Sequence, residues 1–152
     1  MKKIFILLIP IIIIIYILLK TKRKPIEIEN IKYLHFGYST GNMINANVSY
    51  DLSYKDGKYI ARIKPNGKSE EEIKEKQITK KEVKKIEEII KKYEVYKWDG
   101  FNKSDPYVLD GNSFNLSITL KEGSIISASG YMKYPKNYSE VKNELDDIFE
   151  NI

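Results

Sequence analysis

The sequence predicts an α+β protein: an N-terminal transmembrane helix followed by a two-layer domain, with a mainly antiparallel sheet and two helices on one face. Three observations lead there. An unbroken apolar run covers residues 4–19, two pairs of stretches with a two-residue apolar period meet across turn-forming residues, and two later stretches repeat apolar residues at helical spacing. The chain divides accordingly into a membrane anchor with basic flanks (1–24), a tether (25–30) and one α+β domain (31–152) in the order β-β-β-α-β-β-α.

The run Ile4 to Leu19 is framed by Lys2 and Lys3 before it and by Lys20, Lys22, Arg23 and Lys24 after it. At about 1.5 Å per residue it makes a helix of roughly 24 Å, against a hydrocarbon layer of roughly 30 Å. Lys3 and Lys20 close the difference by laying their methylene stems along the acyl boundary and lifting their charges into the headgroups. Pro10 removes one helical N–H, which membrane helices accept more readily than soluble ones. Tyr16-Ile-Leu-Leu-Lys-Thr-Lys-Arg-Lys contains no small-residue site of the kind at which a secretory signal is cut. With no cysteine, the lipid-modified N-terminus of a bacterial lipoprotein is excluded. A core helix apolar on every face would need more chain to wrap it than remains. The expected location is a single-pass protein of the cell membrane. Basic residues are more numerous behind the span than ahead of it, which leans toward a cytoplasmic domain, whereas a short Met-Lys-Lys head is the usual start of an anchor that exports the chain behind it.

Charge excludes a nucleic-acid partner. Six of the 26 basic residues and none of the 21 acidic ones lie in residues 1–24, so the chain beyond them carries 20 against 21. The basic excess belongs beside anionic headgroups, and the near-neutral domain lacks the footprint that phosphate binding requires. Absence of cysteine removes disulfides, thiolate catalysis and zinc-thiolate sites; with one histidine, any imidazole chemistry would pass through His35.

Along the domain, Lys32 to Tyr38 alternates as a strand, with Leu34, Phe36 and Tyr38 on one face and Tyr33, His35 and Gly37 on the other. Val48, Tyr50, Leu52 and Tyr54 begin a hairpin that turns at Asp56-Gly57, a type I′ pair. Its register sets Tyr54 opposite Tyr59, Leu52 opposite Ala61, Tyr50 opposite Ile63 and, on the polar side, Asp51 opposite Arg62. Lys68 to Gln77 is charged except for Ile73 and reads as a loop or an edge strand. Thr79 and Glu82 form a capping box, with Ile78 and Val83 as its staple, ahead of a helix striped by Val83, Ile86, Ile89, Ile90 and Tyr93. Trp98 to Gly111 is a long irregular segment. In the second hairpin, a two-residue Glu122-Gly123 turn pairs Ile118 with Ser127, whereas a three-residue Lys121-Glu-Gly loop pairs Ile118 with Ile126 and Leu116 with Ala128; the second is preferred because it aligns the apolar sides. Asn137 is expected to cap a last helix striped by Val141, Leu145, Ile148 and Phe149.

No catalytic residue, cofactor or metal ligand is assigned. Asp99, Asn102, Ser104, Asp105 and Asp110 are oxygen donors, but their spacing misses the EF-hand pattern and Asp before Gly suits a turn. Aromatic residues placed in loops or on the non-core side of strands, with the neighbouring aspartates, instead suggest an interaction surface: Trp98, Asp99, Phe101, Asp105, Tyr107, Asp110, Tyr131 and Tyr134.

The ordered motifs Trp98-Asp99-Gly-Phe, Val108-Leu-Asp-Gly, Ser113-Phe, Ser129-Gly-Tyr and Tyr134-Pro resemble a family of small uncharacterised bacterial proteins, many of them membrane- or lipid-anchored. The resemblance covers roughly Val48 to Ile148. It implies the same α+β domain and carries no known activity or catalytic residues. Its lipid-anchored members imply an extracytoplasmic domain, although this chain lacks their lipid-bearing cysteine. The expected function is a non-enzymatic interaction module at the bacterial cell envelope, with the bilayer as one partner through residues 4–19 and a protein or cell-wall ligand as another. The alternative is an envelope hydrolase or cation-dependent enzyme using the loop aspartates.

Overall fold

The Asp56-Gly57 turn fixes the register of the first hairpin. A computed structural model of the chain describes residues 28–39, 47–64 and 72–152; the apolar run 4–19, its basic flanks and the first part of the tether lie outside the described residues. Strand β1 (Ile31–Ser39) pairs antiparallel with β2 (Asn47–Lys55), and β2 turns through Asp56 and Gly57, both at positive φ, into β3 (Lys58–Lys64). Tyr54 faces Tyr59, Leu52 faces Ala61, Tyr50 faces Ile63 and Asp51 faces Arg62, the register that the Asp-Gly turn predicts. Ile28, in the expected tether, is already core, at 1% exposure.

The charged stretch is an edge strand. Lys74–Ile78 forms β4 against β3, and only its last residue is buried, so backbone pairing and not an apolar face holds it. The capping box forms as expected: the Glu82 carboxylate accepts from Thr79 N at 2.6 Å and Glu82 N donates to Thr79 Oγ1 at 3.3 Å, opening helix α1 (Lys80–Lys92). Beyond a short 3-10 turn, Val95–Trp98, the segment expected to be irregular contains a strand. This is β5 (Phe101–Ser104), which runs parallel to the later strand Ile125–Tyr131 and so adds to the predicted element order.

The second hairpin, β6 (Ser113–Leu120) and β7 (Ile125–Tyr131), takes the three-residue loop, with Gly123 at φ +98° and Ile118 opposite Ile126. Helix α2 (Tyr138–Glu150) closes the chain. Asn137 precedes it without capping it: at φ 63° its side chain turns away, and Nδ2 lies 3.5 Å from Tyr93 O.

The seven strands lie in the order β4-β3-β2-β1-β6-β7-β5, antiparallel except for β5 with β7. One sheet face carries Leu34, Phe36, Tyr50, Leu52, Leu116 and Ile118, and it joins Val83, Ile86 and Ile90 of α1 and Val141, Leu145 and Phe149 of α2 in one core. Phe149 stacks on Tyr50 with centroids 4.6 Å apart. Full burial of such a ring contributes about 1.5–3 kcal/mol. Among the described residues no helix is long and apolar enough to cross a membrane.

Candidate binding ledge at the end of β7

The Gly130-Tyr-Met-Lys-Tyr-Pro corner turns where no side chain fits. A Cβ on Gly130 would stand 2.1 Å from Lys133 O and 2.6 Å from Phe114 Cε1, so β7 ends by folding tightly onto itself, with Met132 at φ 55°. Gly111 is packed as closely, since a Cβ there would lie 2.4 Å from Met132 Cγ. The corner can therefore dock against the β5–β6 loop.

Hydrogen bonds join the two. Asp105 N donates to Tyr131 O at 2.9 Å and Met132 N to Asn112 O at 2.9 Å. The Tyr131 hydroxyl accepts from Gly111 N at 2.7 Å and donates to Leu109 O at 2.8 Å. Asp105 accepts from Tyr107 N at 3.1 Å and pairs with Lys133 Nζ at 2.9 Å. The Lys133 ammonium, with the Tyr107 N–H, holds the Asp105 carboxyl below its ordinary value. Tyr134 stacks on Tyr138 at 4.5 Å and donates to Asn112 O at 3.3 Å; burial pushes its hydroxyl up.

On this braced ledge Tyr107 and Leu109 are each 93% exposed, with Met132 and Tyr134 beside them at 37%. Of the residues expected to form an interaction surface, the ledge gathers Asp105, Tyr107, Asp110, Tyr131 and Tyr134. It leaves out the other three. Trp98 is buried at 3% exposure, its Nε1 donating to Lys136 O at 3.0 Å and its ring against Phe114 and Tyr138, so it is a core residue and presents no surface to a partner. Phe101 is half-buried against Phe114 on the core side of β5. Asp99 accepts from Ser127 N at 3.2 Å, several residues back along β7 from the ledge.

Asp99 and Asp105 thus have separate structural partners. Among the described residues no three of His, Cys, Asp and Glu come together to hold a metal ion.

A second polar cluster lies on the uncovered sheet face. His35 Nδ1 is 2.7 Å from Asp51 Oδ1, Tyr33 donates to the same oxygen at 3.1 Å, and His35 also bonds Asn115. The hydrogen bond to Asp51 raises the His35 pKa, against burial that lowers it. Burial pushes Asp51 up, but the bonds from His35 and Tyr33 and the charges of His35 and Arg62 outweigh it, and its pKa is depressed. Arg62 itself reaches Glu75 at 3.6 Å. The bonds of His35 to Asp51 on β2 and to Asn115 on β6 staple β6, β1 and β2 together. Tyr38, Tyr50 and Lys142, which line a groove of about 750 Å³ beside α2, likewise converge on Asp146, at 2.9, 2.9 and 2.6 Å.

Sequence reasoning missed Leu109 and Met132, whose exposure depends on how the loop is braced. It placed His35 and Asp51 on polar strand faces without pairing them.

No family model matches the chain, and no curated protein matches it.

Proposed function

We propose that this protein is a non-catalytic binding module, tethered to the bacterial membrane by residues 4–19, that presents the ledge at the end of β7 to a protein partner. The observation that carries this is the clustering of Tyr107, Leu109, Met132 and Tyr134 as exposed apolar side chains on a loop already fixed by hydrogen bonds. Exposed apolar groups concentrated at one place favour recognition, and a pre-ordered loop loses little entropy when a partner docks. Asp105, paired with Lys133, and exposed Asp110 give the apolar centre a charged rim. The extracytoplasmic side is the one that the resemblance to lipid-anchored proteins implies.

The test is a photo-crosslinking residue placed at Leu109, or at exposed Ser139 as a control, in the full chain in cells. A discrete adduct at Leu109 that disappears on Tyr107→Ser, with none at Ser139, is expected. Equal crosslinking at both positions, or none at Leu109, refutes the ledge. Release of the chain from broken cells without detergent refutes the tether.

A further inference from the structure

Resting on the tether reading, the next question is which end of the domain lies toward the bilayer. The chain comes in at Ile28, and its contacts identify the end it enters. Asn30 O accepts from Lys121 N at 3.0 Å, which brings the β6–β7 turn alongside. Tyr33 pairs with Ser53, which puts the Asp56-Gly57 turn at the same end. Ile31 N donates to Glu87 at 3.1 Å and Lys91 pairs with Glu29 at 3.1 Å, so one flank of α1 completes this end. Helical spacing sets Lys80 and Lys84 on that flank with Glu87 and Lys91.

Charge on this end is sorted. The turns and the flank carry exposed Lys55, Lys58, Lys80, Lys84, Lys91 and Lys121, with Lys32 just inside the strand. The acids among them are Glu29, Asp56, Glu87 and Glu122, and two of the four are engaged: Glu29 with Lys91, Glu87 with the Ile31 amide. Basic residues therefore outnumber acidic ones seven to four here, although the chain beyond residue 24 is nearly neutral as a whole. Asp105, paired with Lys133, and Asp110 stand at the other end, past Tyr131.

We infer that the end formed by the two hairpin turns and the outer flank of α1 docks on anionic lipid headgroups, holding the domain upright with the ledge pointing away from the bilayer. Only the eight residues 20–27 separate the apolar run from buried Ile28, so the turns stay within reach of the surface. Lysines near an anionic leaflet are attracted within about one Debye length, roughly 10 Å, and more weakly as salt rises.

The natural chain has no cysteine, so one introduced at Glu122 or at Ser139 takes a donor dye without competition. The full chain is placed in nanodiscs of phosphatidylcholine, alone or mixed with phosphatidylglycerol, with acceptor dyes on the headgroups. Transfer from position 122 should be about twofold higher in the anionic discs, fall at high salt, and be lost in the exposed-surface variant K55Q/K58Q/K80Q/K84Q, while position 139 stays dim throughout. A chain retained by the discs but with equal transfer in both lipids, or unaffected by the four substitutions, overturns the docking alone. A chain that elutes apart from the discs overturns the tether and the docking together.

Discussion

Replacing Tyr131 by Phe removes one hydroxyl and, with it, two hydrogen bonds that close the ledge: Gly111 N to the hydroxyl at 2.7 Å and the hydroxyl to Leu109 O at 2.8 Å. A net contribution of about 0.5–1.5 kcal/mol per bond gives about 1–3 kcal/mol for the pair. Leu109 is fully in solvent, so its carbonyl regains a water partner and belongs at the lower end of that range. Gly111 is half-buried under Met132, and its N–H is harder to re-solvate. About 1.5 kcal/mol is therefore the expected cost, which corresponds to roughly tenfold faster amide exchange at Gly111 through local opening. The remaining ties, Asp105 N to Tyr131 O and Asp105 to Lys133, hold the base of the loop, so the loss should stay local. Amide hydrogen exchange followed by NMR reads this directly. Faster exchange at Gly111 with unchanged protection in β1 and β6 is expected. Unchanged exchange at Gly111, or equal acceleration in the central strands, would refute the view that this hydroxyl braces a separately ordered loop.

Three further outcomes follow from the packing and the charge pairs. Gly130→Ala puts a Cβ 2.1 Å from Lys133 O and forces the corner backbone to move, at a cost of about 2–3 kcal/mol; a wild-type urea midpoint would contradict the close approach. Phe149→Ala removes a fully buried ring stacked on Tyr50 and should cost about 3–5 kcal/mol, a large part of a typical domain's stability; a cost under about 1 kcal/mol in urea unfolding would show that the ring is not central to the core. His35→Gln should cost most in mildly acidic solution. The folded His35 pKa is raised, so its stabilisation is complete below the unfolded value of about 6.5 and fades as pH rises through the folded one. The Asp51 pKa is depressed, so its share is present above about 3.9 and fades as pH falls through the folded value. The difference between wild-type and variant urea midpoints should peak between those limits and shrink toward alkaline pH; a difference that does not vary with pH would contradict the ion pair.

The sequence was most legible where turn chemistry sets a register. Asp56-Gly57 and Lys121-Glu-Gly123 each specify which residues face one another, and Asp51 opposite Arg62 and Ile118 opposite Ile126 are as expected. Edge strands were only partly legible, the stretch holding Lys74–Ile78 reading equally as a loop or an edge strand and Phe101–Ser104 as irregular chain, for a physical reason. Lys74–Ile78 buries one side chain and Phe101–Ser104 half-buries one, so neither shows an apolar period, and both are held by backbone pairing that leaves no mark on composition. Trp98 was expected at a surface because it lies in a segment without periodicity; the Val95–Trp98 turn aims it under Phe114 and Tyr138 instead. The His35–Asp51 pair needed the β1–β2 register, and these strands are not joined by a short turn whose length would fix it. At the ledge, the sequence marked the aromatic and acidic residues, but their burial depended on contacts between loops far apart in the chain.

In the proposed orientation, the direction of β7 sets the distance between the ledge and the bilayer. The strand starts beside the lysine-bearing turns and ends at the ledge, and its seven residues at about 3.4 Å each separate the two by roughly 20 Å. That is more than twice the Debye length of about 8 Å at physiological salt, so headgroup charge would be largely screened at the ledge. The reverse orientation would leave the lysines of the turns and the α1 flank in solvent and lose their attraction to the headgroups, while the ledge, where Lys133 offsets Asp105, would gain no comparable attraction. The sheet, with its strands paired from β4 to β5, is stiff enough to transmit that choice from one end to the other. In the proposed orientation, charge at the turns would govern the accessibility of an apolar surface it does not touch. Substitutions at Lys80 and Lys84 should weaken partner capture only when the chain is in an anionic bilayer, whereas substitutions at Tyr107 and Leu109 should weaken it in detergent as well. Equal loss in detergent and bilayer for the lysine variants would show that those side chains contact the partner and do not orient the domain.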